Sequence, residues 1–232
     1  MHAAGMRPAA PELARDMSTP IKIDIWSDIA CPWCYIGKRR LESAVADFDG
    51  DVEVEYHSYE LAPDTPEDFA GTHAEYLEQK GFPASQIGDM LARVSGVAET
   101  VGLHYDYDAN QPTRTLKAHE LLHFAKAQGR QVEMKERLLA GYFERGEHVG
   151  RIDELVRMAE EVGLDGAAAR TALESGEFAA AVQADIQQAA AYGIRGVPFF
   201  VIDGKYGISG AQESAVFLNV LKDVASGAPA AG

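Results

Sequence analysis

From Ile21 to Trp26 apolar and polar side chains alternate with period two, Ile21-Lys22-Ile23-Asp24-Ile25-Trp26, and most of the apolar ones are β-branched. That pattern predicts a strand with one apolar face. After a turn at Ser27 to Ala30 the spacing changes. Ile36, Leu41, Val45 and Phe48 fit a helix that opens at Cys31-Pro32-Trp33-Cys34 and runs to about Phe48. Beyond Asp49-Gly50-Asp51, the run from Val52 to Tyr59 alternates again and predicts a second strand. Strand, helix and strand in that order make a βαβ unit, whose two strands run parallel.

The section from about Asp64 to Tyr192 carries helical spacing instead. Ile87, Leu91, Val94, Ala98 and Val101 recur at three- and four-residue intervals behind a Ser85 cap and stop at Gly102. Thr113, Asp153 and Asp165 are placed to cap helices ending near Gly129, Gly163 and Gly176, and the alanine-rich run Phe178 to Tyr192 stops before Gly193. Sheet character then returns. Pro198 to Ile202 is short and apolar, Asp203-Gly204 is a hairpin signal, and Lys205 to Ile208 returns antiparallel. A last helix carries Phe217, Val220, Leu221 and Val224 on one face. The expected architecture is α/β: a sheet domain built from residues 20–63 and 193–225, interrupted by an all-helical insertion over 64–192. Residues 1–19, rich in Ala, Pro and charge, are expected to be a disordered extension, and 226–232 a flexible tail. No run approaches the ~18 consecutive apolar residues of a membrane helix, and the first nineteen residues lack the apolar core of a secretory signal. The sequence therefore points to a cytoplasmic protein without a membrane partner.

Composition narrows the function classes. Of 232 residues, 47% are hydrophobic and 25% charged, which excludes disordered, collagen-like and low-complexity chains. Thirty-six acidic residues against 21 basic ones give a net charge of −15, and no basic patch exists beyond Lys38-Arg39-Arg40, so a nucleic-acid partner is not expected. Two cysteines cannot staple a small secreted scaffold. Placed three positions apart, they raise a question of reactivity.

At a helix start, unpaired N–H groups and the positive end of the helix dipole favour a thiolate on the first sulfur. Cys31 is thus the candidate nucleophile. Cys34, one turn on, is placed to attack a mixed disulfide and release product. Pro32 fits the first helical turn, where its missing N–H is no loss, and Trp33 supplies an apolar surface beside the sulfur. A zinc site would need further cysteine ligands that the chain lacks. Late in the chain, Pro198 follows Val197 at a strand start, where a residue without an N–H is tolerated.

These features resemble the DsbA family of thioredoxin-fold oxidoreductases, in its cytoplasmic FrnE-like branch. The resemblance rests on Asp28-Ile29-Ala30-Cys31-Pro32-Trp33-Cys34-Tyr35-Ile36-Gly37, Tyr59-Glu60-Leu61-Ala62-Pro63, Thr115-Leu116-Lys117-Ala118-His119, Gly193 to Phe200, and Gly207-Ile208-Ser209-Gly210-Ala211-Gln212. It implies thiol–disulfide exchange on protein or low-molecular-weight thiols without a bound cofactor, with glutathione as a redox partner in reach, and a helical domain overhanging the dithiol. It also implies a cis Pro198 facing the cysteines, with the backbone of Val197 turned toward an extended substrate. Such proteins often hold a buried acid from the first strand beneath the resolving cysteine, and Asp24 is the nearest candidate, although one residue further from Cys31 than usual. The related kappa-class glutathione transferases and hydroxychromene-carboxylate isomerases use a serine with glutathione, so the retained Cys31 and Cys34 favour redox chemistry.

One competing motif remains. His119-Glu120-Leu121-Leu122-His123 matches H-E-x-x-H, the zinc-peptidase helix. Position 126 is Lys126, not the glycine of the extended motif, so the expectation is a helix of the insertion with one histidine partly buried near the active-site groove, and a zinc peptidase only as the lesser alternative. Glu53, Glu55 and His57 read as the solvated side of the second strand.

Overall fold

The computed structural model describes residues 19–227. Residues 1–18 and 228–232, with the disordered extension and flexible tail expected for them, lie outside the described residues. Strand β1 (Ile21–Ser27) leads through helix α1 (Pro32–Ala46) to β2 (Val52–Ser58). The two strands are parallel, with Ile21 opposite Val52 and Ile25 opposite Tyr56. The chain returns to the sheet in β3 (Phe199–Ile202) and β4 (Tyr206–Ser209), then ends in α9 (Ser214–Ser226). Strand order is β2-β1-β3-β4, with β3 antiparallel to both neighbours. Asp203 and Gly204 turn the β3–β4 hairpin at φ 55° and 66°. Two consecutive left-handed residues match the twist of the strands they join.

Alternation along β1 sorts its side chains between two faces. Ile21, Ile23 and Ile25 enter a core with Leu41 and Ala44 of α1 and Phe217, Leu221 and Val224 of α9. Trp26, on the other face, packs with Ile194 and with Ala189 of helix α8 (Ala179–Ala191). The sheet is thus covered on both sides, which lets its central strand carry apolar residues on both faces.

Between β2 and β3 run α2 (His73–Gln79), α3 (Ala84–Glu99), α4 (Leu116–Ala127), α5 (Gln131–Glu144), α6 (Ile152–Glu161), α7 (Gly166–Ser175) and α8. Helices α3 to α7 share a second core, built on residues such as Val94, Leu121, Leu138, Leu155 and Leu173. Ile29, in the loop before α1, and Tyr35 and Ile36, in its first turns, belong to that same core. The helical block therefore grips the segment that carries the cysteines. Helix α8, which the sequence assigns to the insertion, covers the sheet instead, because Asp185 and Ala189 face Trp26.

Three helix starts differ from the sequence expectation by two residues and one matches it. Asp165 does cap α7, accepting the Ala168 N–H at 2.9 Å. Helices α3, α4 and α6 begin instead after Pro83, Thr115 and Arg151, none of which bonds the helix through its side chain. Helix α2, which no single apolar stripe announces, is fixed by a capping box between Thr72 and Glu75. Among the described residues, no helix is long and apolar enough to cross a membrane.

The ring of Phe217 is fully buried and meets Phe200 edge-on at 4.7 Å. Phe217→Ala should cost about 3–5 kcal/mol of unfolding free energy, read from the urea midpoint at unchanged slope.

Candidate active site

Cys31 is the N-cap of α1, with an extended backbone (φ −96°, ψ 111°), and Pro32 takes the first helical position. The Cys34 N–H donates to the Cys31 carbonyl at 3.0 Å, which closes the first turn and stacks the two residues. Both are free thiols, each 3% exposed. Trp33, between them, stands 39% exposed. The Val197–Pro198 peptide is cis, and the Cys31 thiol donates to the Val197 carbonyl at 3.5 Å. Pro198 is buried against α1. A side chain at Gly37 would place its Cβ 3.1 Å from Pro198 Cγ and 3.2 Å from the Phe200 ring, so any larger residue would make Pro198 or Phe200 give way by a few tenths of an ångström. From the helical block, the Tyr105 hydroxyl donates to the Pro32 carbonyl at 2.7 Å.

A buried polar group lies beneath the sulfurs. Asp28 is 1% exposed; it accepts the Leu61 N–H at 2.8 Å and meets His119 Nε2 at 3.2 Å. Burial pushes its carboxyl up, but His119 and the Leu61 N–H outweigh burial and hold it below the usual carboxylate range. Lys135, on α5, is fully buried. The neighbouring Cys34 sulfur lifts Cys31 well above the ordinary thiol range, with burial adding to the rise. Burial also raises Cys34, yet the Cys31 hydrogen bond, the Lys135 ammonium and Ser27 together bring it below that range. The sequence places the early thiolate on Cys31. Around the pair, Lys135 favours charge on Cys34 and Asp28 opposes it on Cys31, and neither sulfur titrates independently of the other.

Asp24 is not the acid beneath Cys34. Alternation along β1 turns it to the α8 face, opposite the face on which α1 packs. There Asp24 pairs with His57 Nε2 at 2.8 Å and with Lys22 at 3.0 Å. His57 is likewise no solvated strand residue. It stacks on Trp26 at 4.5 Å, and its Nδ1 meets Asp185 at 3.0 Å. Asp24, Glu55 and His57 bring ligand atoms within 4.8 Å of one another. Lys22 already bridges both acids and Lys126 binds Glu55, so this cluster is an ion-pair network.

The H-E-x-x-H residues do not converge on one point. His119 turns to Asp28, His123 to Asp185 at 3.0 Å, and Glu120 to Lys117 at 3.0 Å. Two histidines one turn apart are thereby committed to separate carboxylates. The sequence reading of one histidine of this helix buried near the active-site groove fits His119, but Asp28 and Lys135 were missed. Asp28 was within reach, three residues before Cys31; Lys135 arrives through tertiary packing.

Residues 22–222 match the model of the DSBA-like thioredoxin domain family. The chain belongs to that family. Its relatives include the uncharacterised protein YwbO of Bacillus subtilis, 32% identical over 88% of this chain and 96% of YwbO. The crystal structure of the probable DsbA oxidoreductase SCO1869 from Streptomyces coelicolor is also similar, at 37% identity, TM-score 0.82, and coverage of 88% of this chain and 89% of that one. At the level of fold alone, the chain resembles the cytosolic disulfide reductase DsbM from Pseudomonas aeruginosa with GSH, at 17% identity, TM-score 0.60, and coverage of 88% and 95%. The four-stranded sheet with an overhanging helical block is thus the DSBA-like thioredoxin arrangement that the sequence predicts.

The far-face network sets a pH dependence. Burial lowers the His57 pKa, but Asp185 and Asp24 more than reverse this and raise it above 6.5. A raised folded-state pKa stabilises the fold fully below the unfolded value and loses that contribution as pH rises through the folded one. The stability difference between wild type and His57→Asn, measured by urea unfolding, should therefore be larger at pH 6 than at pH 9.

Proposed function

We propose that this DSBA-like protein is a thiol–disulfide oxidoreductase that acts on protein or small-thiol disulfides through Cys31 and Cys34 and needs no bound cofactor. The observation that carries this reading is the placement of two free, stacked thiols at the start of α1, with the first against the Val197 carbonyl beside Pro198.

Cys31, as thiolate, attacks one sulfur of a substrate disulfide, and the second substrate sulfur leaves with the electron pair and takes up a proton. Cys34, once deprotonated, attacks Cys31 Sγ and expels the remaining substrate thiolate, leaving the Cys31–Cys34 disulfide. The dithiol is oxidised by two electrons and the substrate disulfide reduced by two. The reverse sequence oxidises a substrate dithiol. Exposed Trp33 and Leu61 offer apolar surface to a polypeptide substrate, and the Val197 backbone offers an extended one a hydrogen-bonding edge. A thiol such as glutathione would return the disulfide to the dithiol. This reading carries with it the cytoplasmic setting expected from the sequence, where the thiol pool keeps such pairs reduced. The paired cysteines favour exchange over a glutathione-dependent isomerisation, in which Cys34 would have no task.

Insulin disulfide reduction should proceed with the wild type and fall to the enzyme-free rate in Cys31→Ser. Cys34→Ser should accumulate mixed disulfides on a non-reducing gel. Full activity in Cys31→Ser, or glutathione-dependent turnover indifferent to Cys34→Ser, would remove this mechanism.

A further inference from the structure

The loop joining α3 to α4 reaches the start of α1 through Tyr105. The Tyr105 hydroxyl donates to the Pro32 carbonyl at 2.7 Å. Its ring is held on two sides, 4.6 Å from Phe143 near the end of α5 and stacked at 6.2 Å on Tyr35 of α1. The next residue fixes the backbone, because the Asp106 N–H donates to the Phe143 carbonyl at 2.7 Å. Burial pushes the Tyr105 hydroxyl well above its ordinary range, with Tyr107 and Cys31 adding to the rise, so it stays protonated and can only serve this contact as a donor. A side chain of the helical block thus bonds the backbone between the two cysteines.

The Pro32 carbonyl shares one rigid peptide unit with the Trp33 N–H. Cys31 is the N-cap of α1, so the N–H groups its side chain can reach are those of Trp33 and Cys34, the second and third helical residues. The Cys34 N–H is spent on the Cys31 carbonyl at 3.0 Å, and Pro32 has none to give. That leaves Trp33. In the dithiol the Cys31 side chain caps nothing, and its thiol donates to the Val197 carbonyl at 3.5 Å. A thiolate has no proton to donate. It meets that carbonyl as one acceptor against another, and needs a donor from a different side.

We propose that Tyr105 is a positioning residue for the nucleophile: acting through the Pro32–Trp33 peptide, its hydroxyl aims and polarises the N–H whose hydrogen bond the Cys31 thiolate accepts. The proposal rests on the redox reading above. A hydrogen bond to an amide carbonyl draws electron density onto the oxygen and makes the N–H of the same amide a stronger donor, as in other chains of linked hydrogen bonds. It also fixes the peptide plane, and with it the direction of the N–H. Cys34 of α1, Asp28 before it, Tyr107 of the same loop and Lys135 of α5 are the other titratable groups that act on Cys31. Removing the Tyr105 hydroxyl alone leaves all four in place.

The test is Tyr105→Phe in a Cys34→Ser background, which keeps the ring and leaves Cys31 as the single thiol of the chain. The rate of Cys31 alkylation by iodoacetamide, followed against pH, should trace a curve displaced to higher pH than in Cys34→Ser alone. A displacement of about 0.5 pH corresponds to about threefold less thiolate at pH 7. Superimposable curves from a folded double variant would overturn the proposal, since a tyrosine that only packs would change the urea midpoint and leave the thiolate curve where it is. A measurement that keeps Tyr105 guards against a double variant that fails to fold. In Cys34→Ser, the Trp33 amide proton resonance should move downfield as Cys31 ionises, and a resonance unmoved through that titration would also overturn the proposal. If the wild type instead reduces no insulin, the proposed function fails, while the alkylation curves still report whether Tyr105 acts on Cys31.

Discussion

The two faces of β1 set the chemistry of this molecule. A strand puts successive side chains on opposite sides, and here the two sides receive different materials. Ile21, Ile23 and Ile25 give α1 an apolar floor on which Leu41 and Ala44 settle. Asp24 and Trp26 face α8 and join a network with His57 and Asp185. The dithiol therefore stands above hydrocarbon, and the strand carboxylate is on the wrong side to serve it. Charge reaches the sulfurs from beyond the strand, at Asp28, where the chain has left the sheet and is free of its alternation.

The helical block supplies what the sheet cannot. Tyr105 holds the Pro32 carbonyl, His119 holds Asp28, and α5 brings Lys135 between β2 and α1. Ile29, Tyr35 and Ile36 are buried among helical-block side chains. The first turn of α1 is thus clamped between two cores, one on each side of the cysteines. A dithiol held this way spends little conformational freedom in bringing one sulfur onto the other, which is the condition for fast resolution of a mixed disulfide.

The sheet segments were legible because period-two alternation, a helix with apolar spacing and an Asp203-Gly204 turn all depend on neighbours in sequence. The cysteine pair was legible for the same reason, since its geometry lies within one helical turn. Asp24 was misread because nearness to Cys31 in sequence, already one residue off the usual spacing, does not say which face of the strand an acid occupies. Had the alternation been carried through the strand, Asp24 would have fallen opposite Ile23 and Ile25. The H-E-x-x-H match shows the converse limit. Its spacing puts two histidines on one helical face, but the partners waiting there, Asp28 and Asp185, come from the strand–helix loop and from α8. Lys135 carries no local signal at all; in sequence it is one more lysine on a polar-looking helix.

The arrangement of buried charge around the sulfurs explains why one of them ionises without the other. Two thiolates a few ångströms apart in a low-dielectric site repel strongly, so the pair has room for one negative charge. Asp28 discourages it on Cys31, and Lys135 welcomes it on Cys34. Aligned backbone N–H groups at the helix start favour charge on the first sulfur and the buried lysine of α5 favours it on the second, so the two sulfurs draw on separate sources of positive potential.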